Sequence, residues 1–301
     1  MAGKRKLNKK LIYSIATLIV VIIAAIAALA SSESEPKTPD VPENSSSMQV
    51  HYIDVGQGDC SLVVCDGQTL LIDAGENGHE TEVINYLRSL GIDKLDYIIA
   101  THPHSDHIGG LPEVIEEFGM DNIIMPRLTK AQTPTTKTYT RMLEEIKKSG
   151  AKVIAAKPGS TYTLGTAVID ILGPITDDAE SLNSMSVVAK ITHGENTFMF
   201  TGDAETDEEK EIVGTGADLD CDVLKMGHHG SNTSSHKDFL AKVTPEVCVI
   251  LCGENNDYGH PHREPLERVK KYTDEIYRTD ICGDIVITSD GENLDIEYEN
   301  Q

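Results

Sequence analysis

The stretch THPHSDHIGG, residues 101–110, places four metal-binding side chains within six positions: His102, His104, Asp106 and His107. It continues the apolar run LDYIIAT, which is typical of a buried β-strand. In an extended segment, side chains two positions apart point to the same side, so His102 and His104 can bind one ion. Asp106 and His107 lie where the chain enters a helix predicted to begin near residue 109, and they can face a second ion. This spacing favours a metal site over a surface loop with incidental histidines.

Strand-like and helix-like segments alternate on both sides of this stretch. Before it lie QVHYIDV, CSLVVC and TLLIDAG, the last two joined by the hairpin-turn signal Asp66-Gly67. After it, helices are predicted near 109–118, 137–149, from 236 and near 264–271. SVVAKIT and TFMFTGD form a predicted hairpin, and CDVLKMG and PEVCVILCG are further strands. Two similar successions of apolar strands and helices predict an α/β fold with two sheets face to face and helices outside.

The first 48 residues differ in composition from the rest. Residues 1–10 carry five basic side chains and are predicted to be a cytoplasmic flank. Residues 11–30 carry no charge. Twenty helical residues span about 30 Å, so 11–30 is predicted to be a transmembrane anchor or an export signal that is cleaved. Residues 31–48 are rich in Ser, Pro and Glu and form a predicted disordered linker. The domain, 49–301, then lies outside the cytoplasm, either anchored or secreted.

The exported part is strongly acidic. The chain has 26 Lys and Arg, and without the five in residues 1–10 the remaining 21 face 49 Asp and Glu, a net charge of −28. That charge repels polyanions, so binding to nucleic acid would need bound cations and a local basic patch. The six cysteines form no CxxC pair, and four of them lie in apolar strand-like runs. We therefore expect buried thiols rather than a disulfide framework.

Several motifs carry a resemblance to a known family. TLLIDAG, THPHSDHIGG, FTGDAE and KMGHHGS, in this order, resemble the metallo-β-lactamase superfamily. VHYIDVGQGDCSLV, NDYGHP and GDIVIT are similar to the hydrolase domain of the ComEC-like group within it. The resemblance covers residues 49 to about 290. It implies a four-layer αββα sandwich with two divalent metal ions at one edge of the sheets. Zn²⁺ is the first candidate for these ions, and Mn²⁺ or Fe²⁺ are the alternatives.

The resemblance also implies roles for individual residues. His102 and His104 would hold the first metal. Asp106 and His107 would hold the second, Asp203 would bridge the two, and His228 would complete the second site. Asp73, at a strand end, would orient the ligands through hydrogen bonds, unless it only caps a turn.

One departure concerns the first metal. Many superfamily members supply a further histidine before the bridging aspartate, and the candidate here, His193, abuts the predicted turn Gly194-Glu195-Asn196. It is therefore predicted to be a surface turn residue. Pairing about 194–195 places residue 186 opposite Asp203, so Asn183, Ser184 or water would fill the gap. This departure fits the ComEC-like group and weighs against β-lactam hydrolysis.

Two metals about 3.5–4 Å apart lower the pKa of a bridging water enough to supply hydroxide near neutral pH. No nucleophilic side chain is then required, and Asp106 serves catalysis as a metal ligand. His229, Ser231 and His260 are candidates to contact a phosphoryl oxygen or to protonate the leaving group. His229 has an alternative role as a hydrogen-bond partner of its neighbour, and His260 as a structural residue of its loop.

Three functions follow from this interpretation. The first is a phosphodiesterase that acts on DNA, with a basic patch formed by Lys225, Lys237, Lys242, Arg263 and Arg268. The second is a hydrolase of a small ester, such as a phosphocholine diester of the cell wall, a nucleotide or a lactone. The third is a metal-binding module without catalysis, which the full ligand set disfavours. The salt dependence of binding separates the first from the second.

Overall fold

The computed structural model describes residues 47–300 of the chain. Its first sheet has the strand order β15-β14-β1-β2-β3-β4-β5-β6. These strands are β1 Met48–Tyr52, β2 Ser61–Cys65, β3 Gln68–Ile72, β4 Leu95–Ile99, β5 Met120–Met125, β6 Lys152–Ala155, β14 Ile285–Ser289 and β15 Leu294–Tyr298. Strands β3 to β6 run parallel, and the remaining pairs are antiparallel.

The second sheet has the order β13-β12-β11-β10-β9-β8-β7. Its strands are β7 Thr161–Leu164, β8 Ala167–Gly173, β9 Val188–His193, β10 Asn196–Phe200, β11 Val223–Lys225, β12 Val247–Ile250 and β13 Ile276–Arg278. Strands β10 to β13 run parallel, so each sheet has a parallel half whose strands end on the same side. Strand ends of these parallel halves are where side chains from different parts of the sequence can meet.

Helices cover the outer faces of both sheets. They are α1 Glu80–Ser89, α2 Ser105–Ile108, α3 Leu111–Phe118, α4 Lys137–Ser149, α5 Thr206–Gly214, α6 Lys237–Val243, α7 Arg263–Val269 and α8 Thr279–Cys282. Val83 of α1 and Leu143 of α4 pack on the first sheet, and Leu240 of α6 packs on the second.

A separate apolar core fills the space between the sheets, with Ile72 and Ile99 from the first sheet and Phe198 and Phe200 from the second. Each of these side chains is at most 4% exposed. The chain therefore forms four layers in the order helix, sheet, sheet, helix, which confirms the predicted architecture.

Local predictions were confirmed where the turn chemistry was strong. Asp66 and Gly67 have φ values of 53° and 76°, as a two-residue hairpin turn requires, and they join β2 to β3. Helix α5 was not predicted, because its sequence TDEEKEIVG has few apolar residues and buries the carboxylate-bearing Glu208 and Glu209 as well as Ile212. Helix α2 begins four residues before the predicted start of a helix near 109, so Asp106 and His107 lie inside a helical turn.

The prediction for His193 was wrong. This residue ends β9 and is fully buried, and its Nδ1 lies 2.8 Å from the hydroxyl of Ser289 on β14. The turn between β14 and β15 lies against this hairpin, since the carbonyl of Gly291 accepts a hydrogen bond from the backbone N–H of Glu195. Gly194 and Glu195 at the hairpin tip are exposed, whereas the flanking His193 is enclosed by the neighbouring sheet.

All six cysteines are free and buried, as the sequence predicted. The predicted anchor at 11–30 and most of the linker at 31–48 lie outside the described residues. Among residues 47–300, no helix is both long and apolar enough to cross a membrane.

Candidate metal centre

The candidate site lies at the carboxyl ends of four strands. Asp73 follows β3, the histidine cluster follows β4, Asp203 follows β10, and His228 and His229 follow β11. Strand β3 pairs in parallel with β4, and β10 with β11, so the four strand ends point the same way within each sheet. The fold thereby collects side chains that are up to 156 positions apart in sequence, from Asp73 to His229.

Asp203 lies at the centre of the cluster and is 1% exposed. Its Oδ1 is 3.1 Å from Nε2 of His107 and 3.6 Å from Nε2 of His229. Its Oδ2 is 3.8 Å from Nε2 of His102 and 3.6 Å from Nε2 of His228. The two carboxylate oxygens therefore face two different groups of ligands, which we name the Oδ1 side (Asp106, His107 and His229) and the Oδ2 side (His102, His104 and His228).

The Oδ1 side has the donor set of a cation site. Oδ2 of Asp106 lies 3.4 Å from Nε2 of His229 and 4.0 Å from Nε2 of His107. Within the described residues, Nε2 of His107, Nε2 of His229 and Oδ1 of Asp203 are buried without a hydrogen-bond partner. Unpaired buried donors and acceptors are costly, and a metal ion would satisfy all of them at once. Together with Asp106 they form a cluster able to bind a metal ion.

The Oδ2 side is more open. Nε2 of His102 lies 3.0 Å from Nδ1 of His104, and the side chain of His228 is 20% exposed. His228 occupies the place for which the sequence offered Asn183, Ser184 or water. Asn183 and Ser184 lie in a 3₁₀ turn, Asn183–Met185, and have no hydrogen bond or ion pair to the cluster within the part of the chain that the structure describes.

The predicted register between β9 and β10 is confirmed beyond the ends of the strands. Asn196 pairs with His193 across the turn, and the hydroxyl of Ser186 accepts a hydrogen bond of 3.0 Å from the backbone N–H of Asp203. The same hydroxyl lies 3.3 Å from Nδ1 of His102. Ser186, rather than Asn183 or Ser184, is therefore the residue of this segment that contacts the cluster.

The positions of the two adjacent histidines differ from the expectation. The sequence placed His228 with Asp106 and His107, and gave His229 a role as an acid or a supporting residue. The structure instead places His229 on the Oδ1 side and His228 on the Oδ2 side. Both residues have left-handed backbones, with φ values of 51° and 52°, so the chain turns sharply and sends the two rings to different sides.

Asp73 lies behind the cluster, in contact with Thr101 and His107. One of its oxygens accepts the backbone N–H of Thr101 at 2.8 Å, and the other accepts the Thr101 hydroxyl and lies 2.7 Å from Nδ1 of His107. Burial opposes charge on His107, but Asp203, Asp59 and Asp73 raise its pKa well above the usual value. The carboxylates therefore create a strongly negative pocket that favours a cation.

The structure adds Asp59 and Lys225 to the centre. Asp59, in the VGQGD motif, is 4% exposed, and Lys225 is 1% exposed, and the two form a buried ion pair. From the sequence, VGQGD supported only the family resemblance, and Lys225 was predicted to belong to a DNA-binding patch. The burial of Lys225 overturns that assignment, because the side chain cannot reach a ligand in solvent.

The other members of the predicted basic patch differ in their exposure to solvent. Lys237, Lys242 and Arg263 are exposed, whereas Arg268 donates hydrogen bonds to the carbonyls of Ser234 and Ser235. Arg268 therefore stabilises the loop that follows the two histidines rather than presenting its charge to solvent.

His260 borders the cluster. Its ring centre lies 5.7 Å from that of His228 and 6.0 Å from that of His229. Burial, with the neighbouring His229 and His228, lowers the pKa of His260 to about 4, so it is neutral near pH 7. Ser231 is 5% exposed, and its backbone N–H donates to the carbonyl of His228 at 2.7 Å. Ser231 thus shapes the histidine loop.

Comparisons with known proteins agree with this architecture. The family model described as "Metallo-beta-lactamase superfamily" matches residues 53–254. The chain is 30% identical over 259 residues to ComE operon protein 3 of Bacillus subtilis, covering 80% of this chain and 33% of that protein. It is 31% identical over 244 residues to competence protein ComA of Neisseria gonorrhoeae, covering 80% of this chain and 32% of that one. The chain thus spans about a third of the length of these curated relatives.

Solved structures share the fold at low identity. The metallo-β-lactamase fold protein YhfI of Bacillus subtilis superposes with a TM-score of 0.51 at 16% identity, covering 77% of this chain and 96% of that chain. CmlA, a diiron β-hydroxylase from Streptomyces venezuelae, superposes with a TM-score of 0.51 at 13% identity, covering 80% of this chain and 53% of that chain. The matched family model, the layered fold and the His/Asp cluster agree, and this chain belongs to the metallo-β-lactamase superfamily.

Proposed function

We propose that this chain is a two-metal phosphodiesterase, with Zn²⁺ as the first candidate metal and DNA as the first candidate substrate. The observation that carries the proposal is the central position of Asp203, whose two oxygens face two separate sets of ligands. Three nitrogen or oxygen donors on each side, with a shared carboxylate, suit two divalent ions.

The residues of the chain have distinct parts in this proposal. His102, His104 and His228 would hold one ion, and Asp106, His107 and His229 the other. Ions bound there would lower the pKa of a water shared between them and would offset negative charge on the reacting group. His260, neutral near pH 7, would donate a hydrogen bond to a phosphoryl oxygen rather than act as an acid.

DNA is the first candidate because two matched relatives carry competence or competence-operon names, ComE operon protein 3 and competence protein ComA. The proposal includes the sequence-based location, with residues 11–30 as a membrane anchor and the domain outside the cytoplasm. Its main physical obstacle is the net charge of −28 calculated above, which repels DNA phosphates. Lys237, Lys242 and Arg263 are the exposed cations of the predicted patch that would offset this repulsion locally.

The purified full-length protein, loaded with Zn²⁺ or Mn²⁺, should hydrolyse single-stranded DNA and bis-p-nitrophenyl phosphate and leave a cephalosporin intact. If about three phosphates are contacted, KM for DNA should rise about 20-fold between 50 and 200 mM salt, while KM for the small diester changes little. Steady-state kinetics at the two salt concentrations measure both effects. Turnover of the small diester without DNA cleavage would refute the DNA assignment, and absence of turnover by metal-loaded protein would favour a binding module.

An acidic cavity supports a second candidate, the hydrolysis of a small ester that carries an amine. The cavity of about 690 Å³ is lined by Ser184, Thr233 and acidic residues of α5 and the preceding loops, including Glu205, Asp207 and Glu208. Glu205 lies 3.9 Å from Nδ1 of His228, so the cavity adjoins the metal-binding cluster. Its charge suits a positively charged substituent and repels a phosphate chain.

The double variant Glu205→Gln/Asp207→Asn separates these two candidates. It should raise KM for an amine-bearing nitrophenyl phosphodiester about 3- to 10-fold if the cavity binds the amine, because each charge pair open to solvent contributes up to about 1 kcal/mol. KM for the neutral analogue should stay constant. The control Asp295→Asn/Glu297→Gln makes the same charge change at exposed positions of β15. Equal effects of the two double variants would point to net charge rather than to the cavity.

A further inference from the structure

We propose that Asp59 and Lys225 act as a buried positioning pair that holds the Oδ1 side of the centre in the geometry its metal ion requires. The inference rests on the proposed two-metal function and assigns roles to two residues outside the ligand set. It also predicts that the pair supports one metal ion and not the other.

Asp59 contacts every member of the Oδ1 side. Its backbone N–H donates a 3.0 Å hydrogen bond to the carbonyl of Asp106. Its Oδ1 lies 3.2 Å from Nδ1 of His229, and its Oδ2 lies 3.7 Å from Nδ1 of His107. A single loop residue thus touches three ligands that come from two different sheets, so its placement fixes their relative positions.

Lys225 connects the same carboxylate to the bridging residue. Its ammonium group contacts Oδ2 of Asp59 and donates a 3.2 Å hydrogen bond to the carbonyl of Gly202, which directly precedes Asp203. Lys225 is also the last residue of β11, three positions before His228. The ammonium group therefore joins the β1–β2 loop, the end of β10 and the end of β11 beneath the centre.

These contacts also fix the protonation of His229. Its Nδ1 lies 2.9 Å from the carbonyl of Leu251 and 3.2 Å from Oδ1 of Asp59, and both of these oxygens can only accept a hydrogen bond. Nδ1 therefore carries a proton, and Nε2, which faces Asp106 and Asp203, is the nitrogen that a metal ion would bind. A carboxylate that contacts the distal nitrogen of a histidine ligand raises the basicity of the metal-binding nitrogen and fixes the orientation of the ring.

The positive charge of Lys225 disfavours a further metal ion beside Asp59. Asp59, Asp73 and His107 lie close enough together to resemble a cation site. However, the ammonium group already contacts Asp59 and supplies the balancing charge. A buried ion pair is expensive to desolvate, and an apolar pair of similar volume would often be as stable, so stability alone does not account for it. The contacts of Asp59 and Lys225 with the metal ligands account for the presence of this ion pair.

The Oδ2 side has different support. Nδ1 of His228 lies 2.9 Å from the hydroxyl of Thr233, and Nδ1 of His102 contacts the hydroxyls of Thr101 and Ser186. Asp59 and Lys225 have no hydrogen bond or ion pair to His102, His104 or His228 within residues 47–300. Loss of the Asp59–Lys225 pair should therefore weaken the binding of the ion on the Oδ1 side and leave the other ion bound.

The test is metal titration of the full-length protein and of the Asp59→Asn and Lys225→Met variants, with Co²⁺ absorption and counts of bound Zn²⁺ as readouts. Each variant should bind one ion at least about 10-fold more weakly and the other within about twofold of the parent protein. Lys190→Met is the matched control, because Lys190, on β9, is also a buried lysine of the second sheet. Its ammonium group lies 3.1 Å from the carboxylate of Asp218. The Lys190→Met variant should bind both ions normally.

Folding is checked by circular dichroism, and the double variant Asp59→Asn/Lys225→Met removes both charges together, so no unpaired buried charge remains. The inference is overturned if the folded double variant binds both ions like the parent, if both ions weaken equally, or if Lys190→Met has the same effect. A parent protein that binds no ion would instead refute the proposed two-metal function. Hydrolysis of bis-p-nitrophenyl phosphate provides a second readout, in which kcat should fall more than KM rises.

Discussion

Asp203→Ala should lower kcat/KM for bis-p-nitrophenyl phosphate by at least about 1,000-fold. Asp203 is the residue whose oxygens face both sides of the centre, at 3.1 Å from His107 and 3.6 Å from His228. Without it, the ions would lose their shared ligand and the histidines would lose their central negative charge. Charge stabilisation by bound metals contributes several kcal/mol to such reactions, and each 1.4 kcal/mol corresponds to about a factor of ten in rate.

The measurement combines steady-state kinetics with a count of bound Zn²⁺, which should fall below the value for the parent protein. Asp222→Ala is the matched control. Asp222 precedes β11 at the end of the sheet opposite the centre, and its carboxylate accepts hydrogen bonds from the backbone and hydroxyl of Thr197. This control removes a comparable structural carboxylate. If Asp203→Ala retained activity, or if both variants lost it equally, the central role of Asp203 would be rejected.

The fold and the core of the site could be predicted because local signals agreed with each other. The histidine stretch at 102–107 directly follows an apolar strand, so its position at a strand end was readable from the sequence. The pairing of Ser186 with Asp203 followed from counting outward from one turn. Both inferences needed only short-range geometry, in which the two-residue period of a strand is dependable.

Other features depended on distant parts of the chain. Asp59 and Lys225 are 166 positions apart, and nothing local to either segment indicates that they pair. The burial of His193 depends on β14, whose Ser289, nearly a hundred positions away in sequence, lies against the His193 ring. Local composition correctly indicated an exposed turn at Gly194 and Glu195, but packing of the two sheets buries the adjacent His193.

The roles of His228 and His229 failed to follow from sequence for a different reason. Adjacent residues in a regular strand point to opposite faces, but here both residues have left-handed backbones, which cost about 1–3 kcal/mol each for residues other than glycine. The surrounding structure must stabilise this turn. The hydrogen bonds from Ser231 to the His228 carbonyl and from His228 to the Gly202 carbonyl do so locally. Such strained turns are concentrated at functional sites.

This assignment leads to the second large effect. His229→Ala should lower kcat/KM by about 100-fold or more, because it removes a buried donor from the Oδ1 side, and His228→Ala should weaken the ion on the Oδ2 side. Activity alone cannot tell which ion each histidine holds. Combining each change with Asp106→Ala identifies the ion, because Asp106 faces only the Oδ1 side, 3.4 Å from His229.

The Asp106→Ala/His229→Ala variant should still bind about one ion per chain, since both changes affect the same side. Asp106→Ala/His228→Ala should bind neither ion tightly, since it damages both sides. Counts of bound Zn²⁺ and Co²⁺ absorption measure the difference, and His193→Ala, a buried histidine outside the cluster, controls for lost packing. The reverse pattern would restore the assignment expected from the family resemblance, with His228 beside Asp106 and His107. It would also mean that the left-handed turn at the two histidines rearranges when metals bind.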